Sequence, residues 1–331
     1  MAVEKPMTTV LLFLLCITTI VSAYEGCQDK FSITDTTCSQ FAFSSGGGAT
    51  SNLLCYDMDK DMNTFYDLSS LPEVTWVDPR MVRIASMVTN VFENGDKIFG
   101  YAACQDIGDM RGFTCGYVGF TTGTNDANQV IREFSEIKPS NALLSHLGRL
   151  GELSQLNSCD ITQRASTVGL ESFCETWKQE ACNEDQLFAN FQKQWTLNNY
   201  LLPSARFAAG AGVTSALGQL IFYGNYTFLI SIKEVTKPSI NLVRILELTG
   251  ARGDNESEQS YLTRFLTTRR QLQCCYPDNV WPLSATRSMD LQSLVDNFDT
   301  NQNLLAPVAL PHFGQVVTGE EPDGIDARRC S

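Results

Sequence analysis

Apolar residues recur at helical spacing through most of the chain beyond residue 78. Asp78-Pro79 pairs an N-cap residue with a proline suited to the first helical position, and it opens a helix predicted to run to about Phe92. Met81, Ala85, Val88 and Phe92 fall on one face of it. Asn94-Gly95 ends the pattern, so Glu93 stands at the helix terminus, a position that can present a side chain to a cleft. Further helical periods cover Ala127 to Ile137, Ala142 to Leu150, Asp185 to Leu202, Val213 to Tyr223, Ile240 to Leu248 and Ser260 to Cys274. The stretch Val213 to Tyr223 is almost wholly apolar and reads as a buried central helix. Between Phe99 and Thr122 glycine, β-branched and aromatic residues crowd together, which predicts short strands and turns. The expected fold class is mainly α with a small β-sheet.

The ends of the chain follow other patterns. Val10 to Val21 is an apolar run preceded by Lys5 and followed by Ser22 and Ala23, which reads as a signal peptide over residues 1–23. A membrane span needs roughly 20 apolar residues, more than this run supplies. Residues 24–75 are rich in Ser, Thr, Gly and Asp, include SSGGGATS, and read as a cysteine-containing extension. Residues 76–331 form the expected catalytic domain. The acidic stretch after Gly319 is loose unless Cys330 ties it down.

Composition narrows the class. The chain has 331 residues, 43% of them apolar, enough for one large core or two lobes. Loss of the leader removes Glu4, Lys5 and Cys16, leaving a net charge of −13 and eleven of the twelve cysteines. Eleven cysteines in an exported chain read as disulfides with one thiol over, of undetermined connectivity. A zinc site has little support, since there is no CxxC pair and only His146 and His312 to assist. The negative charge disfavours nucleic acid and suits a cationic ligand. With two histidines, no GxSxG elbow and no phosphate loop, Ser-His-Asp and nucleotide chemistry are set aside. Carboxylates remain, and a glycosidic bond needs two of them, one to protonate the leaving oxygen and one to activate water or attack the sugar.

One segment selects two. CQDIGDMRGFTCGYVGFTTGTND, Cys104 to Asp126, resembles the signature of the chitosanases of glycoside hydrolase family 46, roughly E-D-I-G-D-G-R-G-Y-T-x-G-x-x-G-F-x-T-G-T-G-D. Phe92-Glu93-Asn94 is similar to a motif that precedes it in the family, and Asp78-Pro79 to the start of its domain. Ala216-Leu217-Gly218-Gln219, Tyr261-Leu262 with Arg269, and Thr286-Arg287 extend the likeness over about residues 76 to 315. The resemblance implies a lysozyme-like two-lobed fold with a substrate cleft between the lobes, and endo-acting hydrolysis of chitosan with inversion. It implies Glu93 as general acid, Asp109 as general base, Thr114 as the residue positioning water, Asp126 as a substrate contact, and Arg269 and Arg287 as a charged network supporting the base. Arg111, two residues past the base, is read with Asp126 as substrate-binding. No metal or organic cofactor is required, the chain is expected to be secreted and free of the membrane after leader cleavage, and a monomer is expected.

The residues also carry local readings. Packing against Phe92 is expected to desolvate Glu93 and keep it protonated. A lone aspartate before a helix, as Asp126 is, usually serves only as an N-cap. Met110, Phe113, Gln105 and Asn125 depart from the family pattern, as does Gly224, where the family carries an acid, and Asp278 or Asp290 is expected to substitute for that acid. Cys104 and Cys115 flank the base and either staple its loop or pair elsewhere. Arg252-Gly253-Asp254 is an adhesion-type tripeptide, and Asn225 and Asn255 are glycosylation sequons. The competing functions are hydrolysis of an acetylated polymer and amino-sugar binding without effective catalysis.

Overall fold

The structure is a computed structural model, and it describes residues 25–27, 54–55, 68–108, 110–157, 160–228, 233–234, 242–275, 280–322 and 330. The leader, most of the extension, Asp109, Cys159 and Asp278 lie outside the described residues, as do the side chains of 225–228.

Helix α1 spans Pro79–Asn94, and the Asp78 carboxylate caps it by accepting from the amides of Arg80 at 2.8 Å and Met81 at 3.4 Å. Met81, Ala85, Val88 and Phe92 are all buried, so the apolar stripe becomes the core face. Three short antiparallel strands follow, β1 (Cys104–Asp106), β2 (Phe113–Cys115) and β3 (Phe120–Thr121), with Cys104 opposite Cys115 and Gln105 opposite Thr114. Helices α2 (Asp126–Ile137), α3 (Leu147–Gln155), α4 (Phe173–Ala181) and α5 (Leu187–Thr196) follow, α2 and α4 packing on the sheet and α3 and α5 on α2. A π-helical turn, Leu197–Leu201, joins α5 to α6 (Leu202–Gly210).

Helix α7 (Ala216–Phe228) packs against α1 and α6, with Leu217, Leu220, Ile221, Phe222 and Tyr223 buried, as its unbroken apolar run required. Helices α8 (Leu242–Thr249), α9 (Glu258–Cys275) and α10 (Ala285–Asp296) complete the helical part. A final hairpin, β4 (Val308–Leu310) and β5 (Gln315–Val317), packs on α10 and α1. The periodicity did not mark α4, α10 or this hairpin.

The extension docks on the catalytic part at two points. A turn at Glu25–Cys27 is held by the Cys27–Cys274 disulfide and by Arg270, whose Nε donates to the Gly26 carbonyl. A β-carbon at Gly26 would lie 2.6 Å from the Thr286 amide nitrogen, so only glycine lets the turn approach α10 this closely. Leu68 joins the main core, and its carbonyl accepts from Arg206 at 2.6 Å. At the other terminus Cys330 is bonded to Cys182, which supplies the tie the tail needs. No helix among the described residues is long and apolar enough to cross a membrane.

The connection between α8 and α9 absorbs the adhesion-type tripeptide. Arg252 Nε donates to the Glu256 carbonyl at 2.9 Å, and the Gly253 amide donates to the Glu256 carboxylate at 3.1 Å. Arg264 grips that carboxylate through Nε at 2.7 Å and Nη2 at 2.8 Å. Arg264, then the Gly253 amide, hold the Glu256 carboxyl at about 2, below its ordinary value of 4.5. A depressed folded-state value stabilises the fold above the unfolded pKa, and the contribution fades as pH falls from about 4.5 toward about 2. Glu256→Gln is therefore expected to lower the urea midpoint at pH 7, with the gap to wild type closing below pH 4.5. Equal midpoints at pH 7 would contradict this.

Candidate functional site

Helix α1 stops because Gly95 takes a left-handed φ of 72° and its N–H turns back to the Val91 carbonyl at 2.8 Å. The stop leaves Glu93 in the last turn. Its carboxylate accepts from Arg287 Nη1 of α10 at 2.9 Å, and the Arg287 guanidinium lies 5.8 Å from the centroid of the Phe92 ring. Phe92 packs on Phe313 with centroids 5.2 Å apart. Among the described residues, packing against Phe92 does not enclose Glu93. Glu93 is part-exposed, and a guanidinium occupies the place where desolvation was to act.

The residue after it anchors the helix end to the sheet. Asn94 Nδ2 donates to the Tyr117 carbonyl at 3.0 Å and to Asn90 Oδ1 at 2.9 Å. Buried Asn90 in turn donates to the carbonyls of Asp96 at 2.6 Å and Ile98 at 3.0 Å and accepts from the Gly100 amide at 3.3 Å. Four backbone groups of the turn beyond α1 and of the β2–β3 connection are thereby tied to two asparagines, which fixes Glu93 relative to the sheet. Asn94 belongs to the quoted Phe-Glu-Asn motif, and its structural use was not read from it.

The β1–β2 loop carries the expected base. Asp109 itself lies outside the described residues, but its setting is defined by three left-handed positions, Gly108 at φ 72°, Met110 at φ 65° and Gly112 at φ 75°. Glycine adopts this conformation freely, whereas a side chain there is strained. Met110 replaces a family glycine at one such position, and Asn125, at φ 73°, replaces another. Asparagine tolerates left-handed backbone, while methionine at 110, half-exposed, does so at a cost of order 1 kcal/mol.

Gly112 is more constrained, since a β-carbon there would stand 2.3 Å from Thr122 Oγ1, the atom that accepts from the Phe113 amide at 3.0 Å. Gly112→Ala is expected to displace the loop and reduce kcat by roughly 10²-fold while the rest of the fold persists. Steady-state rates beside far-UV circular dichroism check it, and unchanged kcat in a folded variant would show that the loop plays no part.

Thr114 lies on β2 opposite both Gln105 and Thr121. Its Oγ1 is buried and accepts or donates no hydrogen bond among the described residues, so the hydroxyl is uncommitted. Asp126 is the first residue of α2 rather than its N-cap, which is Asn125. One carboxylate oxygen, Oδ1, accepts from the Thr121 amide at 2.8 Å, Thr124 Oγ1 at 2.9 Å and the Ala127 amide at 2.9 Å. Burial pushes the carboxyl up, against the pull of those donors and of the Arg111 charge. Oδ1 of Asp126 therefore ties the turn after β3 to the start of α2, although Asp126 is not the N-cap. Arg111 acts on Asp126 as an opposite charge.

Arg269 is fully buried on α9, and burial, with Arg287 adding like-charge repulsion, pushes its guanidinium down to about 9 while Glu93 draws it up. The two arginines thus converge on the acid, Arg287 by direct contact and Arg269 through the field. Of the expected acidic substitutes for position 224, Asp290 is committed elsewhere. It is buried on α10, its Oδ1 accepts from the His312 amide at 3.3 Å and contacts His312 Nδ1, and burial pushes its carboxyl up. A β-carbon at the buried Gly224 would meet nothing within 4 Å among the described residues.

Comparison with known proteins accords with this arrangement. The model of the family described as glycosyl hydrolase family 46 matches residues 87–307. A chitosanase from Bacillus subtilis (strain 168) is 28% identical over 241 residues, 68% of this chain and 80% of that protein. A chitosanase from Streptomyces sp. (strain N174) is 29% identical over 202 residues, covering 58% and 66% of the two chains. Among solved structures, a Gynuella sunshinyii chitosanase in complex with chitotetraose superposes with a TM-score of 0.61 at 24% identity, over 73% of this chain and 98% of its own. A mutant chitosanase from Bacillus subtilis MY002 complexed with 6 GlcN gives 0.62 at 24% identity, over 73% and 100%. These two carry the fold, which is lysozyme-like.

Proposed function

The chain belongs to glycosyl hydrolase family 46, and from that membership we propose that it is a secreted chitosanase cutting β-1,4 bonds within chains of glucosamine by inversion. The observation that carries this reading is the placement of Glu93. It ends a core helix, is held by Arg287 at 2.9 Å, and is joined through Asn94 to the sheet whose β1–β2 loop contains Asp109.

Glu93 as general acid gives its proton to the glycosidic oxygen of the departing sugar. Asp109 as general base takes a proton from the water that attacks the anomeric carbon from the opposite face, and exchange with solvent resets both groups. The guanidinium of Arg287 stabilises the negative charge that develops on Glu93 as the proton leaves. The uncommitted Thr114 hydroxyl supports a role in orienting that water. Asp126 Oδ2, the oxygen not used by the turn, supports pairing with a substrate ammonium, whose charge would add to the pull of Arg111 against the burial that raises the carboxyl. A net charge of −13 favours a polycation over a neutral polymer. Two carboxylates and water suffice for the reaction.

Secretion rests on the apolar leader over residues 1–23, and the exposed Asn255 in the α8–α9 connection supports glycosylation at that sequon. The stereochemical part of the reading is tested by proton NMR of glucosamine oligomers during the first turnovers. The α-anomer at the new reducing end is expected first, and first appearance of the β-anomer would exclude inversion.

A further inference from the structure

Three cysteines meet at the base of the hairpin that carries the Asp109 loop. Cys104 on β1 and Cys115 on β2 face each other across the ladder with Cα atoms 4.0 Å apart, and Cys174 in the first turn of α4 has its Cα 5.0 Å from that of Cys104. All three sulfurs lie within 4.8 Å of one another, so Cys104 is placed to bridge to either of the others. A cysteine sulfur forms one disulfide, so Cys104 bridges to one of the two at a time.

We propose that Cys104, Cys115 and Cys174 form a thiol–disulfide exchange site in which Cys104 is the sulfur that changes partner. The chemistry is internally balanced. The Cys115 thiol gives up its proton, and the resulting thiolate attacks Cys104 Sγ. A Cys115–Cys104 bond forms, the Cys104–Cys174 bond breaks, and its electron pair departs on Cys174 Sγ, which takes up a proton. The number of disulfides and thiols is unchanged, and no outside oxidant or reductant takes part.

The surroundings give the two outer sulfurs different characters. Cys174 is the second residue of the nine-residue α4, where the positive end of the helix dipole stabilises a departing thiolate. Glu175 in the same turn is exposed and accepts from Gln179 at 3.0 Å. Cys115 has no exposure, so a thiol there is sheltered from reagents, whereas Cys174 is half-buried.

The two states anchor the hairpin differently. A Cys104–Cys174 bridge links positions 70 apart in sequence and pins β1 to α4. A Cys104–Cys115 bridge links positions 11 apart, closes a ring around the Asp109 loop, and releases it from α4. The exchange therefore alters what the base loop is fastened to.

The test is non-reducing peptide mapping of the full chain after acid quench, unfolding and blocking with N-ethylmaleimide. One maleimide per chain is expected within this trio, divided between Cys115 and Cys174 and absent from Cys104. In Cys115→Ala the Cys104–Cys174 bridge, and in Cys174→Ala the Cys104–Cys115 bridge, is expected to be the sole isomer, with no label on the trio. Wild-type mapping alone decides the matter if either variant does not fold. Label on Cys104, a bridge from Cys115 or Cys174 to a cysteine outside the trio, a single isomer in wild type, or three thiols with a bound metal ion in native mass spectrometry would each overturn the proposal.

Discussion

Glu93→Gln is expected to cut chitosan hydrolysis by about 10²- to 10⁴-fold in kcat, the range that a positioned general acid contributes. Glutamine keeps the size of the side chain and an oxygen that can accept from Arg287 Nη1, so the helix end, the guanidinium and the Asn94 link to Tyr117 are expected to stay in place. What is lost is the transferable proton and the charge left behind when it goes. Glu93 is part-exposed, and an exposed ion pair contributes about 0 to 1 kcal/mol to stability, so the thermal midpoint is expected to move little. Release of reducing ends together with a circular-dichroism melt separates the two effects. A well-folded variant within threefold of wild type would remove Glu93 from the acid role.

Asp109→Asn is expected to cost a similar factor, about 10²- to 10⁴-fold, with KM nearly unchanged because water activation matters only in the transition state. The loop tolerates the change, since Gly108, Met110 and Gly112 carry its left-handed turns and asparagine is itself at ease near such backbone. A variant whose KM rises while kcat holds would make Asp109 a substrate-binding group. Loss in both variants, each folded, is what a pair of carboxylates acting on opposite faces of one bond requires.

Much of this site was legible along the chain because its parts are local. The Asp78 cap, the apolar stripe and Gly95 define α1 and hence the exit of Glu93. Glycine with β-branched and aromatic residues marks the hairpin on either side of Asp109. Central helix α7 was marked by having no polar face. Long-range contacts carry no such mark. The Arg287 contact to Glu93 spans 194 positions, and it replaced the expected desolvation by Phe92 with an ion pair. The arginine was expected to support the base. The described contact is to the acid, where α10 crosses the end of α1 beside Phe92 and Phe313, while Asp109 lies outside the described residues. Helix α10 itself was missed because its sequence interleaves polar and apolar residues, and the β4–β5 hairpin because its strands are three residues long. Met110 and Asn125 show the reverse case. They depart from the family pattern, and the backbone shows both at positions whose left-handed φ explains the family's glycine.

The measurement that bears most directly on the assigned function is the viscosity of a deacetylated chitosan solution followed against reducing ends released, with wild-type protein and Glu93→Gln in parallel. A chain-internal hydrolase working through Glu93 makes viscosity collapse while few ends have appeared, and the variant leaves it close to its starting value over the same period. A wild-type protein that binds the polymer without thinning it, or a variant that thins it at the wild-type rate, would contradict the account.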